Sequence, residues 1–525
     1  MNELRLTGAV VVDGAGAPRR RADVAVRDGR VVAVGDEAGA PAARTIDLDG
    51  LVLTPGFIDL HTHVDFTLPR YPRAASMVRQ GVTTLVAGNC GFSPFPVADD
   101  HRGDLRDLSA FIDAGLSWDW HDAEGYLAEV DAQPLACNLV QLVGHGSVRV
   151  AVMGFEAREP TRDELDRMRA HVDTALRAGA CGLSTGLVYA PGSHAGTDEI
   201  VALARVAAAR GRFYASHIRS EGDGSIEAVA EALTIGARAG AAVELSHHKA
   251  MGRDNWGKVH RTLAMIDAAR DGGLDVAADQ YPYLAASTTL SNLLPAWARN
   301  DGLDGMLAIF DDPQRRAALA DEVRSGASDY DLDQVMVASV PDGANADAAG
   351  RMLVDIAAAD AADPTDTLFQ LLAEERDRVQ MVVFGMDEDD VRTVMTHPYV
   401  AVASDGWTLD PSEGGTPHPR SYGTFARVLG RYVRDEGVLQ LEEAVRKMTS
   451  LPAARLGMDD LGAIRLGARA DLVAFDPQRV RDRATFEDPH RFADGVELVV
   501  VGGQVVIAGG RDTGVDAGAV LRSTT

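Results

Sequence analysis

Residues 57–63 (FIDLHTH) decide the fold, because an apolar β-strand pattern ends there in two histidines. His61 and His63 are two residues apart, so in a strand both side chains point to the same face. Seven further apolar runs predict strands, and the segments between them have largely helical patterns. These runs are 82–90, 137–145, 180–187, 212–218, 242–248, 274–281 and 399–405. Strands that alternate with helices predict an α/β fold, a closed (β/α)8 barrel of the TIM type over residues 55–455.

The stretch 161–178 is the clearest of the predicted helices. Thr161 and Glu164 have the spacing of a capping box, in which each residue satisfies a backbone amide of the first helical turn. We therefore expect a helix to begin directly after Thr161.

The two ends of the chain share one pattern, short β-branched runs separated by glycine. The runs are 4–12, 24–34, 471–476, 497–501 and 504–507. Neither end carries enough strands for a stable sheet, since an isolated hairpin is marginal in water. We therefore predict one small β-sandwich domain, built from residues 1–54 and 456–525.

The region from about 282 to 398 contains no clean strand-helix pair that would explain its length. Structureless loops of that size are rare in compact domains. We expect an insertion over the barrel mouth at about 284–345, followed by the seventh barrel helix, with an extra strand at 334–340.

Composition excludes several classes of protein. Hydrophobic residues make up 46% and charged residues 25%, which is typical of a globular chain, and the net charge is −27. That charge argues against binding to nucleic acid or to anionic lipid, and no apolar run reaches the roughly 18 residues of a membrane span. The first residues lack a signal-peptide pattern, and three scattered cysteines do not form a disulfide framework. We expect a soluble cytoplasmic protein; its oligomeric state is left open.

Residues of the types that bind metals lie at the ends of the predicted strands. Four of them each close a different strand: Cys90, His217, His247 and Asp405. Each alone has an ordinary interpretation, such as a small buried hydrophobe, a structural histidine or an Asx turn. The active site of a TIM barrel lies at the carboxyl ends of its strands, and imidazole, thiolate and carboxylate are ligands that suit zinc. Their joint placement, together with the two histidines of the first strand, predicts a metal centre.

Residues 55–63 (PGFIDLHTH) resemble the first-strand motif of the amidohydrolase superfamily. Further motifs resemble its D-aminoacylase (N-acyl-D-amino-acid deacylase) branch: 88–91 (GNCG), 216–219 (SHIR), 246–249 (SHHK), 404–406 (SDG) and 418–423 (HPRSYG). The resemblance extends from Leu4 to about Gly510. Hydantoinases of the same superfamily use a carboxylated lysine at the fourth strand end; 184–186 (STG) offers none, so that subclass is disfavoured.

The resemblance implies a set of metal ligands. Cys90, His217 and His247 would hold a tight, catalytic zinc ion. A second, weaker position would be lined by His61, His63 and Asp405, with Cys90 as a candidate bridge. His248 should point to the opposite face of its strand from His247, so we exclude it as a ligand.

The resemblance also implies zinc-dependent hydrolysis of N-acyl-D-amino acids to a carboxylate and the free D-amino acid, and it is the sole basis for the D preference. Zinc would activate water, and Asp405 is the candidate general base. Candidate substrate-binding residues are Arg420, Lys249, Tyr281, Tyr283, Ser287 and Tyr189. The alternative is a hydrolase of the same fold that acts on another linear amide, such as a dipeptide or an N-acyl dipeptide, or on an ester. A non-catalytic scaffold is disfavoured, because every expected ligand is present.

Overall fold

A computed structural model describes residues 2–326, 330–341 and 343–523, apart from the side chain of Glu413. Its centre is a barrel of eight parallel strands, which confirms the eight predicted strands. In chain order they are Phe57–Asp59, Val82–Ala87, Asn138–Gln141 with Val143–Gly144, Gly182–Gly186, Phe213–His217, Val243–Leu245, Val276–Gln280 and Val400–Val402.

Backbone pairing between the first and eighth strands closes the barrel. Consecutive strands pair in parallel, and a parallel bridge joins Thr62 to Gly406. The His63 amide donates to the Gly406 carbonyl at 2.9 Å, and the Asp405 amide donates to the His61 carbonyl at 2.8 Å. Because closure occurs at these residues, the first and eighth strands deliver their polar side chains to the same end of the barrel.

Helices surround the barrel, and the capping box is confirmed: Thr161 and Glu164 cap the helix Arg162–Arg177 reciprocally. The other helices that follow the barrel strands are Ala75–Val78, Arg102–Ser109, Ala123–Asp131, His145–Met153, Thr197–Ala208, Ser225–Ala239, Lys258–Asp271, Glu388–Thr396, Arg420–Arg427, the π-helical Val428–Asp435, Leu441–Met448 and Ser450–Leu456. Short 3₁₀ turns are Gly35–Gly39, Val64–Phe66, Asp99–His101, Gly192–His194, Arg253–Asn255, Leu290–Leu293, Ala296–Arg299, Leu332–Gln334, Ala346–Ala348 and Pro411–Glu413.

Within the described ranges, every helix is too short or too polar to traverse a bilayer.

Both ends of the chain contribute to a small β domain, as predicted. One sheet has the order Arg30–Val34, Val24–Arg27, Asn2–Thr7 and Ala42–Asp47; the other has the order Arg511–Asp512, Gln504–Ala508, Val496–Val501, Leu472–Phe475, Val52–Pro55, Val10–Val11 and Arg20–Arg21. The antiparallel pairing of Val52–Pro55 with Leu472–Phe475 joins the two ends. Leu6, Val26, Leu472 and Val500 belong to one apolar cluster that both sheets share. Burial of this cluster holds the ends together.

The last described residues depart from the predicted boundary of the β domain. The Leu139 amide donates to the Ala519 carbonyl at 3.0 Å, and the Leu521 amide donates to the Leu139 carbonyl at 2.8 Å. The segment 518–523 therefore packs against the third barrel strand. In the third strand, Asn138–Gln141 pairs with the second strand and Val143–Gly144 pairs with the fourth. The segment 518–523 therefore satisfies the backbone groups of Leu139 that neither neighbouring strand pairs.

The insertion after the seventh strand forms a unit with its own apolar core. Its antiparallel sheet has the order Ala286–Thr289, Gln380–Val383 and Val335–Ser339, which confirms the extra strand predicted at 334–340. Its helices are Gly302–Asp311, Pro313–Arg324, Leu353–Ala359 and Pro364–Glu374. The unit extends past residue 345, where we expected it to end, because its central strand comes last in the chain.

Candidate metal centre and active site

Three of the expected ligands lie in strained turns directly after barrel strands. Cys90, His247 and Asp405 have φ values of 54°, 35° and 52°, in the left-handed region that residues other than glycine rarely adopt. Such a conformation costs of order 1 to 3 kcal/mol and persists where the surroundings impose it, commonly at functional sites. Gly186 on the fourth strand contributes by close packing, since a Cβ there would collide with the Cys90 carbonyl.

Cys90, His217 and His247 lie close to one another. The Cys90 Sγ lies 3.4 Å from the His247 Nε2, and this nitrogen lies 3.0 Å from the His217 Nδ1. Tetrahedral bonds of about 2.0 to 2.3 Å to zinc place neighbouring ligand atoms roughly 3.3 to 3.6 Å apart. These two distances are close to what a shared ion requires, and His247 also belongs to two close groups of possible ligands, one with His61 and Cys90 and one with His217 and Glu221.

His61, His63 and Asp405 form an adjoining group. The Asp405 Oδ1 lies 3.2 Å from the His63 Nε2 and 3.5 Å from the His61 Nε2. The same His61 nitrogen lies 3.3 Å from the Cys90 Sγ, so the thiol stands between the two groups. All of these side chains are buried.

The charges of the site favour the ligating forms of Cys90 and Asp405. Burial alone would raise the pKa of the Cys90 thiol, but the charges of His61 and His247 outweigh burial and hold this pKa well below its usual value. Burial would also raise the pKa of Asp405, yet the charge of Arg420 and a hydrogen bond from His63 hold it well below the usual range. A thiolate and a carboxylate among imidazoles are a donor set that fits a divalent metal ion such as zinc.

Two carboxylates that the sequence analysis did not single out orient the histidines. The Glu221 Oε1 lies 3.0 Å from the His247 Nδ1, and the Asp279 Oδ2 lies 3.3 Å from the His61 Nδ1. Asp279 also accepts from the His247 amide at 2.8 Å. Carboxylates of this kind fix the tautomer and direction of a ligating imidazole. Their sequence signals were the position of Glu221 four residues after His217 and that of Asp279 near the end of the seventh strand.

A cavity opens onto this cluster. Five of the six predicted substrate-binding residues line it: Arg420, Lys249, Tyr281, Ser287 and Tyr189. Phe92, Glu221 and Trp407 also line it, and the sequence analysis had not named them. The cavity therefore brings five of the predicted residues together, and Phe92 and Trp407 add aromatic walls.

Arg420 is a buried cation beside Asp405. It is 1% exposed, and its Nη1 lies 2.9 Å from the Asp405 Oδ2. Its Nη2 donates to the Ser287 carbonyl at 3.2 Å, and the guanidinium lies 4.9 Å from the centre of the Tyr281 ring. The planar group is thus held at the cavity wall, next to the metal-binding cluster.

Lys249 also reaches the cavity, but its charge is partnered. Its ammonium donates to the Glu221 Oε1 at 2.5 Å and to the His247 carbonyl at 2.8 Å. Burial raises the pKa of Glu221, but the charges of Lys249, His217 and His247 hold it well below the usual range. Lys249 and Glu221 therefore form an ion pair beneath His247.

The structure corrects the placement of Tyr283, which lies outside the cavity lining. Its ring packs 5.1 Å from the His418 ring and beneath the Arg427 guanidinium, 4.8 Å away. Tyr281 and Tyr283 both pack in the insertion core, but of the two only Tyr281 also lines the cavity. His248 lies apart from the ligands, as expected, and its Nε2 is 2.8 Å from the Thr262 hydroxyl.

A model of the amidohydrolase family matches residues 44–507, which is most of the chain. The chain belongs to the amidohydrolase family. This amidohydrolase is 40% identical over 509 residues to an N-acyl-D-glutamate deacylase of Alcaligenes xylosoxydans xylosoxydans, covering 96% of this chain and 93% of the relative. It is 38% identical over 522 residues to a D-aminoacylase of the same organism, covering 99% and 98%. These relatives place it in the D-aminoacylase branch.

Solved structures support the same placement. A crystal structure of N-acyl-D-glutamate deacylase from Bordetella bronchiseptica, in complex with zinc and a phosphonate that mimics the tetrahedral intermediate, is 38% identical, with a TM-score of 0.84 and 99% of each chain covered. A D-hydantoinase is 14% identical with a TM-score of 0.55, which indicates the barrel fold alone. The groups of buried histidine, cysteine and carboxylate side chains in this amidohydrolase fit a divalent metal centre.

Proposed function

We propose that this amidohydrolase uses zinc to hydrolyse the amide bond of N-acyl-D-amino acids, giving a carboxylate and the free D-amino acid. The observation that carries the proposal is the convergence of Cys90, His217 and His247 beside Asp405 and Arg420 in one pocket. The D configuration rests on the relatives, which are deacylases of D-amino acids.

The proposed ligands divide into two positions. Cys90, His217 and His247 would hold the tight ion, and His61, His63 and Asp405 would line a weaker position that shares Cys90. Zinc in such a site supplies a Lewis acid that lowers the pKa of water and polarises a carbonyl group. Glu221 and Asp279 would keep the imidazoles in the ligating orientation.

Asp405 is the proposed general base. Its Oδ1 faces the histidine cluster while Arg420 holds its Oδ2, so the carboxylate is fixed and ionised. It would take a proton from the attacking water and deliver it to the nitrogen of the leaving amine. Arg420 would bind the free α-carboxylate of the substrate, since a guanidinium forms two parallel hydrogen bonds to a carboxylate.

A substrate panel tests the proposal. The metal-reconstituted protein is assayed with N-acetyl-D- and N-acetyl-L-amino acids of several side chains, with dipeptides, with N-acyl dipeptides and with esters. We expect N-acetyl-D-amino acids to be hydrolysed faster than every other class. Equal rates on both enantiomers, or hydrolysis of dipeptides or esters alone, would overturn the substrate assignment.

Replacing Arg420 by methionine should raise KM for N-acetyl-D-amino acids by roughly 10- to 100-fold, because a charge-assisted hydrogen bond is lost. We expect kcat to fall as well, because Arg420 also keeps Asp405 fixed and ionised. Steady-state kinetics measure both constants. The matched control is Arg431→Met, in the π-helical segment that follows, where Arg431 pairs with Glu436 away from the cavity. An unchanged KM in Arg420→Met would remove Arg420 from carboxylate binding.

Replacing Glu221 by glutamine should weaken the tight metal site by roughly 10- to 100-fold, because His247 loses its carboxylate partner. Competition with a chelator measures the dissociation constant of the metal. Glu231→Gln is the control, since Glu231 pairs with Arg219 and lies outside the cavity lining. If Glu221→Gln bound metal as tightly as the parent, Glu221 would have no role in orienting His247.

A further inference from the structure

A second chamber lies beside the catalytic cavity. The two share three lining residues, Phe92, Phe111 and Tyr189. The Phe92 ring lies 5.6 Å from the Phe111 ring and 5.0 Å from the Tyr189 ring. The Tyr189 ring in turn lies 5.0 Å from the ring of His217. These three aromatic side chains form a common wall that extends from the chamber to the proposed metal ligands.

We infer that this chamber receives the acyl chain of the substrate, so that the enzyme prefers N-acyl-D-amino acids whose acyl group is an extended apolar chain. This inference rests on the proposed function. Beyond the shared wall, the chamber is lined by the apolar side chains of Leu108, Phe155, Leu303 and Met306. Burial of each methylene group against such surfaces is favourable, so a longer chain should bind more tightly.

The direction of the substrate follows from the positions of the binding groups around the barrel. Lys249, Tyr281 and Arg420 follow the sixth, seventh and eighth strands, on one side of the metal cluster. The chamber is lined partly from the other side, by Phe92 after the second strand, Phe155 after the third and Tyr189 after the fourth, and partly by the insertion that follows the seventh strand. In an N-acyl amino acid, the carboxylate and the acyl chain lie on opposite sides of the scissile amide. With the carboxylate at Arg420 and the amide at the metal cluster, the acyl chain points towards the chamber.

Charge in the chamber argues against an anionic acyl group. Two acidic residues balance two basic ones in the lining: Asp107, Asp377, Arg299 and Arg376. Arg299 donates to the Asn292 side chain at 2.6 Å, and Asp377 accepts from the hydroxyls of Thr289 and Ser291, each at 2.9 Å. Because the charges balance and these polar groups are hydrogen-bonded to neighbouring side chains, the apolar surface is the feature that selects the acyl group.

A series of acyl chains tests the inference. The metal-loaded protein is assayed with N-acetyl, N-butyryl, N-hexanoyl and N-octanoyl derivatives of one D-amino acid. We expect kcat/KM to rise at least about tenfold from acetyl to hexanoyl. Leu303→Trp, which fills the chamber, should abolish most of that rise while N-acetyl hydrolysis stays within about twofold of the parent. Leu307→Trp is the matched control, because Leu307 lies one turn along the same helix and outside the chamber lining.

The other outcomes of this experiment contradict either the inference or the proposed function on which it rests. A kcat/KM that is flat or falls with chain length, or a rise that follows the amino-acid side chain instead of the acyl group, would overturn the inference. An equal loss on acetyl and hexanoyl substrates in Leu303→Trp would also overturn it, unless that variant is unfolded by circular dichroism. In that case Ala110→Phe, at the end of a different helix of the chamber lining, decides by the same criterion. Absence of hydrolysis across the whole series, acetyl included, would contradict the proposed function itself.

Discussion

Asp405→Asn is expected to abolish turnover, lowering kcat by about 10²- to 10⁴-fold, while leaving most of the tightly bound metal in place. The amide keeps the shape of the carboxylate but cannot accept the proton of the attacking water. The tight position does not include Asp405, since its proposed ligands are Cys90, His217 and His247. Single-turnover and steady-state kinetics measure kcat, and metal analysis after dialysis measures the retained ion.

The control for this variant is Asp410→Asn in the same loop. Asp410 caps the short turn Pro411–Glu413 by accepting from the Ser412 amide, and it lies outside the cavity lining. We expect its kcat to match the parent. Activity of Asp405→Asn within tenfold of the parent would remove Asp405 from the role of general base.

Cys90→Ala has the second large expected effect, a loss of tightly bound metal. Its Sγ lies within 3.4 Å of nitrogens from both His61 and His247, so its removal weakens both proposed positions. We expect metal affinity to fall more than about 100-fold, because loss of a ligand should exceed the effect of losing an outer partner. Activity at low metal concentration should fall in parallel.

Spectroscopy separates ligand loss from general damage in this variant. Cobalt-loaded parent protein should show a thiolate-to-metal charge-transfer band that Cys90→Ala lacks. Cys181→Ala is the control, because Cys181 is buried in an apolar cluster, where burial raises the pKa of its thiol to about 12. Tight metal binding and near-parent activity in Cys90→Ala would leave the metal assignment without support.

Local patterns in the sequence were sufficient for the barrel, and they supplied the candidate residues of the site. Continuous apolar runs in the sequence identified all eight barrel strands, because a parallel strand that is buried on both faces needs such a run. The capping box identified the start of the helix Arg162–Arg177, since both of its partners lie within one turn. The ligand types at the strand ends predicted a metal centre, because the topology of a parallel barrel brings the ends of distant strands to one rim.

Other features depended on contacts between residues far apart in the chain. Glu221 and Asp279 orient histidines on other strands or turns, and their positions near strand ends do not by themselves reveal which histidine each one contacts. Tyr281 lines the cavity and Tyr283 does not, although both pack in the insertion core. The central strand of the inserted sheet comes last in the chain, so its extent emerges only when the strands pair.

The sequence by itself thus determined which strands form the barrel and which side chains can bind a metal, because both depend on residue type and short-range spacing. The tertiary structure alone decided how those ligands are held in left-handed turns, which carboxylates orient them and where the acyl chamber lies. The physical reason is that these features arise from packing between separate strands, the insertion and the tail, whose relative positions no local pattern specifies.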